Sequence, residues 1–215
     1  CYVELEPLSF TTFKKGEKSK PHENENNDQY VLENKLVRYE FNNDGQIISA
    51  YDKDIKKEIL VEAGNVFTLY DDTPNNWDAW DIDFFYRNAK IETAKTIEFL
   101  GYFGGKILKE LIFKLSIGDS LIEQIISLGA DTKRLDFETI VDWKESHKML
   151  RVHFPVNVFS ERPSFDIQYG YVKRNTHRNT SWDRAKFEVV GHKYADLSSH
   201  DYGVALMNDC KYGYM

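Results

Sequence analysis

The chain has no apolar run near the ~20 residues that a membrane-spanning helix requires, so no membrane is expected as a partner. It also lacks any Lys/Arg cluster free of interleaved acids. Its 28 basic residues face 35 acidic ones, a formal net charge of −7. A nucleic-acid binder needs a basic footprint, so nucleic acid is not expected as the main partner. Cysteine is scarce, with only Cys1 and Cys210 at opposite ends. A disulfide between them is one option, but two thiols in 215 residues point rather to a reducing compartment, the cytoplasm. There is no charged-then-apolar leader, and no serine nucleophile elbow, phosphate-binding glycine loop, HExxH or paired-cysteine zinc pattern. The sequon Asn179-Thr180-Ser181 would matter only in a secreted protein.

What is present suits a packed core. Aromatics make up 14% of the chain and apolar residues 41%, and 215 residues allow one large domain or two small ones, all-β sandwiches commonly reaching this size as a single unit. Residues 1–29 stand apart. "CYVELEPLSF" has the pattern of a strand, and "KKGEKSKPHENENNDQ" is polar and nearly free of aliphatics, as in a linker or edge segment. From Tyr30 the strand signals are dense. "YVLENKLVRYEF" and "QIISAYD" flank Asn-Asp-Gly, which predicts a hairpin. Leu111, Phe113, Leu115 and Ile117 alternate with polar or outward positions, as a half-buried strand requires. The apolar run after Gly118 is ambiguous between strand and helix. Leu135, Phe137, Val141 and Trp143 share one face of a strand, and Val152, Phe154, Val156 and Val158 are expected inward on the next. No segment carries a sustained helical stripe. The fold expected is all-β, two large antiparallel sheets packed face to face. "YGVALMNDCKYGYM" ends on what reads as the start of a further strand, so a piece of a longer protein, incomplete at its C-terminal end, is expected.

Three stretches concentrate chemistry-bearing residues. In "YDDTPNNWDAWDIDFFYR", Asp78, Asp81 and Asp83 interleave with Trp77 and Trp80. Carboxylates bond sugar hydroxyls and indoles stack on the apolar face of a pyranose. The bland alternative is a loop whose aspartates cap turns and whose tryptophans anchor it to the sheets. In "NTHRNTSWDRAKFEV" and the residue before it, Arg174, His177, Arg178, Asn179 and Asp183 could hold hydroxyls or anions, with His177 able to carry a proton. Equally, Asp183 paired to an arginine would order a long connection. His192, Asp196 and His200 stand at steps of four, a ligand spacing on a helix but a scattered one on a strand. His22, His147 and His153 sit among ordinary surface or strand residues and suggest no chemistry.

Two of these stretches, "LYDDTPNNWDAWDID" and "THRNTSWDRAKFEVVGHKYADLSSHDYGVALMNDCKYGY", closely resemble the C-terminal β region of glycoside hydrolase family 38 α-mannosidases, most of all the cytosolic and vacuolar branch. "LDFETIVDWKESHKMLRVHFP" and "ENKLVRYEFNNDGQIISAYDK" resemble neighbouring parts of that region, so the likeness runs from about Tyr30 to the end. The resemblance implies a galactose-mutarotase-like β super-sandwich over residues 30–215. It implies a parent enzyme that hydrolyses terminal α-mannosides with retention. The nucleophilic Asp, the acid/base carboxylate and a divalent metal, usually zinc, then belong to N-terminal catalytic and helical domains, which would be this chain's partners along with mannosides or oligosaccharides. No catalytic or metal residue is assigned here, and no cofactor is expected on this chain itself. Trp77, Asp78, Trp80, Asp81, Arg174, His177, Arg178, Asn179 and Asp183 become candidates for a wall of the substrate cleft. An autonomous carbohydrate-binding module and a purely structural scaffold are the alternatives.

Overall fold

The computed structural model describes residues 30–78 and 80–215, together with Pro7, Leu8, Phe10 and Thr12. The strand and linker expected over residues 1–29 lie outside the described residues, those four excepted. The chain divides into two compact units, Cys1–Pro155 and Val156–Met215. The expectation of an all-β fold built from antiparallel sheets holds. Among the described residues the only α-helix is a five-residue turn in the second unit.

In the first unit, β1 (Val31–Glu33), β2 (Val37–Phe41), β3 (Ile47–Asp52) and β4 (Lys57–Glu58) form one sheet in chain order. A second sheet joins β7 (Lys95–Gly104), β8 (Leu108–Ile117), β9 (Ser120–Gly129) and β10 (Leu135–Asp142) in the order β10-β9-β8-β7. A third places β5 (Val66–Asp71) between β11 (Lys148–His153) and β6 (Lys90–Thr93). The core comes chiefly from the second sheet. Burial alternates along β8, where Leu111, Phe113, Leu115 and Ile117 are at most 1% exposed. Strand β9 answers with Ile122, Ile126 and Leu128. Each such side chain contributes about 1.5–3 kcal/mol by leaving water. The ambiguous run after Gly118 is therefore a strand: the Gly118-Asp119 turn, with Gly118 at φ +56°, returns the chain so that Ser120 faces Ile117.

The first sheet lies against this core. Its β1 contacts β8 and β9, and Tyr30 sets its ring 4.9 Å from that of Phe99. Gly45, at φ +69° in the Asn-Asp-Gly turn, sits directly on Phe113: a β-carbon there would come within 3.2 Å of the ring. A left-handed turn residue without a side chain is thus demanded twice over. A buried amide pair adds direction to the packing. Asn65 Nδ2 donates to Gln124 Oε1 (2.7 Å) and to the Gly45 carbonyl (2.9 Å), while Gln124 Nε2 donates to Thr139 Oγ1 (3.0 Å).

Two expectations need correction. The first arm of the hairpin is two strands, because Asn34 turns the chain by accepting the amide protons of Leu36 and Val37 on its Oδ1 (2.8 and 3.0 Å). Strand β11 stops at His153, so Val156 and Val158 lie beyond it, and Val152 is 42% exposed rather than inward. Val152 pairs with buried Phe67, but β11 is the edge of its sheet, so the outer flank of Val152 has no neighbouring strand to cover it. The same edge effect leaves Val141 and Trp143 largely exposed although Val141 pairs with core-facing Ile122.

In the second unit, β12 (Ser164–Ile167), β13 (Gly170–Lys173), β15 (Tyr194–Ser198) and β16 (Gly203–Met207) form a sheet in the order β13-β12-β15-β16. The short pair β14 (Val189–Val190) and β17 (Gly213–Tyr214) closes on its buried residue, Phe165, whose ring meets that of Tyr214 edge-on at 5.4 Å. Between β13 and β14 runs the connection that carries α1 (Ser181–Ala185).

Candidate functional site

All four tryptophans are exposed: Trp77 by 74%, Trp80 by 90%, Trp143 by 39% and Trp182 by 78%. A single exposed apolar side chain is ordinary, whereas a cluster of them on one stretch marks a candidate contact surface. Three of the four lie on or beside the two stretches singled out above.

The first stretch leaves the end of β5 in the first unit. Asp71 accepts from the Thr73 hydroxyl, and the Asp72 amide donates to the His147 carbonyl at 2.8 Å. Trp77 then adopts φ +60°, and its carbonyl accepts from the amides of both Trp80 and Asp81 (2.8 and 2.9 Å). This knot projects both indoles outward. The tryptophans are therefore not the anchors that the bland alternative required. Anchoring falls to Asp83, which accepts from the Asn75 amide at 2.6 Å, and to Tyr86 in the 3₁₀ turn Phe84–Asn88. The Tyr86 side chain is buried edge-on to Tyr70 at 5.5 Å. Asp81 accepts from the neighbouring Ile82 amide and remains exposed. Asp78 reaches across to His147, Oδ2 to Nε2 at 3.0 Å.

His147 was not singled out from the sequence. It sits in the β10–β11 connection, 69 residues from Asp78, and only the β5–β11 register brings the two together. Nothing local to "ESHKM" announces that pairing. Beside it, Asp72 has its carboxyl raised above the usual aspartate range, by burial first and then by the negative charges of Asp78 and Asp71.

The second stretch lies in the second unit and divides into two kinds of residue. Arg174 belongs to the fold: its guanidinium donates to the Val190 carbonyl (2.9 Å) and lies 5.6 Å over the Phe165 ring. Asp183 is a helix cap. Thr180 accepts from the Asp183 amide (3.1 Å), and Asp183 Oδ2 accepts from both the hydroxyl (2.6 Å) and the amide (3.2 Å) of Thr180. Asn175 Nδ2 donates to its other oxygen at 3.2 Å, and His177 Nδ1 stands 3.6 Å from Oδ2. This reciprocal Thr-x-x-Asp box satisfies amides that a helix start leaves open. It was legible in the sequence as Thr180-x-x-Asp183. His177, Arg178, Asn179 and Trp182 face outward from the ordered turn.

The hydrogen bonds from Thr180, then Asn175, hold the Asp183 carboxyl below the usual aspartate range. A carboxyl depressed in the folded state stabilises it fully above the unfolded value, about pH 3.9, and loses that contribution as pH falls through the folded value. The turn is thus expected to keep its order through the usual aspartate range and to loosen only on the acid side of it. The Asp183 and Thr180 amide shifts in an NMR titration check this. A transition centred near neutrality would contradict the assignment of Asp183 as the organising group.

His192, Asp196 and His200 do not converge. Asp196 lies within β15, His192 precedes it with its ring against Tyr212 at 5.4 Å, and His200 follows the strand. Among the described residues no three His, Cys, Asp or Glu side chains are placed to hold a metal ion. Among them, too, no helix is long and apolar enough to cross a membrane. Cys210 is exposed, and Cys1 lies outside the described residues.

Comparison with known proteins places this arrangement. The family described as glycosyl hydrolases family 38 C-terminal domain matches residues 32–215. Alpha-mannosidase G of Dictyostelium discoideum is 38% identical over 192 residues, covering 86% of this chain and 18% of that protein. Human alpha-mannosidase 2C1 is 38% identical over 193 residues, with coverage of 85% and 18%. The alpha-mannosidase of Saccharomyces cerevisiae is 40% identical over 161 residues, 71% of this chain and 15% of that protein. The chain thus spans less than a fifth of the length of these relatives. The crystal structure of an alpha-mannosidase from Enterococcus faecalis V583 superposes with a TM-score of 0.71 over 94% of this chain and 25% of its own, at 14% identity, which speaks to the fold alone.

Proposed function

Since the chain belongs to the glycosyl hydrolases family 38 C-terminal domain family, we propose that it is the non-catalytic β portion of a retaining, metal-dependent α-mannosidase acting on terminal α-mannosides. Its role is to supply a wall of the substrate cleft and to pack against the parent's other domains. In this reading the two catalytic carboxylates and the divalent metal, zinc, reside in N-terminal domains, and the parent works in the cytoplasm. Each unit offers its own candidates for contact with substrate: Trp77, Asp78, Trp80 and Asp81 in the first, and His177, Arg178 and Asn179 in the second. Arg174 and Asp183 support the second stretch from behind.

The observation that carries this is the exposure of Trp77 and Trp80 on a loop anchored by other residues, with Asp78 between them and Asp81 next to Trp80. Sugar sites pair flat apolar rings with hydrogen-bonding acids in this way. The chain alone is expected to give no turnover of an activated aryl α-mannoside, with or without added zinc. Metal-dependent turnover would contradict the placing of catalysis elsewhere.

The same exposure also favours an autonomous carbohydrate-binding module. In that case mannose or a short mannoside changes the tryptophan emission of the chain alone, and Trp77→Ala and Trp80→Ala abolish the change. A flat titration removes this second reading.

A further inference from the structure

We infer that Tyr169, at the tip of the β12–β13 hairpin, is an anchor that docks the second unit onto the remainder of the parent polypeptide. Its seat is a hollow with apolar walls and a polar group for the phenol hydroxyl. The inference deepens the packing role proposed above and rests on that role, not on the parent's catalytic activity.

The sequence at this tip runs against the backbone it has to form. Ile167 pairs with Gly170, so Gln168 and Tyr169 alone make the turn. Tight hairpin turns favour glycine or asparagine at positions of positive φ, and two other turns of this chain place Gly45 and Gly118 there. Here the positive φ, +62°, falls on Tyr169. Glycine comes one residue later, where φ is not positive and a β-carbon would meet nothing within 4 Å. Aromatic and glycine are thus transposed relative to what the turn asks of them. A bulky residue holds a left-handed conformation only at a free-energy cost.

No contact within the chain offsets that cost. The Tyr169 side chain is fully exposed, and among the described residues it makes no hydrogen bond and no ring contact. Tyr171, two residues on, is 60% exposed on β13, an edge strand of its sheet. Strain kept at a surface without a compensating contact points to compensation from outside the chain. Tyrosine suits that role, having a large rigid ring and one polar end, and it is enriched among the residues that dominate protein interfaces. A sugar site is concave and sets rings among several hydrogen-bonding groups, whereas this ring stands by itself at a hairpin tip. The occupant is the rest of the parent, because the chain spans 18% of the length of two of its relatives. Most of such a polypeptide lies outside this chain and is held close by covalent linkage, at high effective concentration.

Hydroxyl-radical footprinting read by tandem mass spectrometry compares Tyr169 in the 215-residue chain and in the full-length parent. Its oxidation is expected to be at least ~10-fold slower in the parent, as for an aromatic anchor excluded from water. Equal rates overturn the inference. So does protection in the 215-residue chain that grows with its concentration, which would make a second copy the occupant. Protection of the parent that requires added mannoside would mean a sugar contact, and overturns it too. Tyr169→Asn, a residue that accepts positive φ, should leave the thermal midpoint of the chain unchanged or raised but lower that of the full-length parent. Tyr169→Phe keeps the ring and should lower neither. An unchanged parent midpoint with Tyr169→Asn contradicts the docking role; should that variant fail to fold, footprinting of the unaltered proteins decides. A parent that shields Tyr169 yet lacks mannosidase activity counts against the proposed catalysis and not against the docking.

Discussion

Replacing Phe113 with alanine is expected to lower the unfolding free energy by about 3–5 kcal/mol, a large part of the 5–15 kcal/mol typical of a folded domain. Phe113 is fully buried at the middle of β8. Its ring meets Phe99 at 5.1 Å and Tyr30 at 5.9 Å, and it underlies Gly45 of the facing sheet. Truncation removes transfer energy and leaves a cavity between two sheets, which close-packed strands cannot easily fill. Urea unfolding with linear extrapolation measures the loss. A cost under about 1 kcal/mol would mean that the two sheets do not meet on this ring.

If the parent protein is the α-mannosidase proposed above, Arg178→Ala and Asp78→Asn in that full-length protein are each expected to reduce kcat/KM by at least ~10-fold, about 1.4 kcal/mol of transition-state stabilisation. Arg178 is exposed, and among the described residues it makes no bond that a structural role would need. Its loss should therefore leave thermal stability unchanged. Arg174→Ala provides the contrast, since Arg174 bonds Val190 and covers Phe165. That variant is expected to destabilise the second unit. Asp78→Asn acts both on substrate and on the contact with His147. Unchanged kinetics in a folded Arg178→Ala enzyme would move the second stretch from cleft wall to scaffold.

Much of the fold was legible in the sequence because strand periodicity is a local signal. The alternation on β8 and β9, the Gly118-Asp119 turn and the absence of a helical stripe all survive in the structure. Misjudgements fell where a side chain or a strand edge overrides the pattern. Asn34 breaks an apparent strand by bonding its own backbone, as Asn does readily. Val152 follows the inward rhythm but lies on an edge strand. For the candidate site, the sequence set Trp77 and Trp80 among acids, and the structure leaves both exposed. Their anchoring by Tyr86 and Asp83 could not be foreseen from composition. Asp183 could have been recognised as a cap from Thr-x-x-Asp. His147 could not, because its partner is fixed by the pairing of β5 with β11 and by nothing nearby in the chain.

The most direct measurement is a crystal structure of the full-length parent protein, proposed above to be an α-mannosidase, with a mannose-configured inhibitor bound. The account predicts sugar atoms in van der Waals contact with Trp77 or Trp80, or within hydrogen-bonding distance, about 3 Å, of Asp78 or Arg178. A sugar ring remote from all four, with both stretches packed against other parts of the same protein, would contradict it.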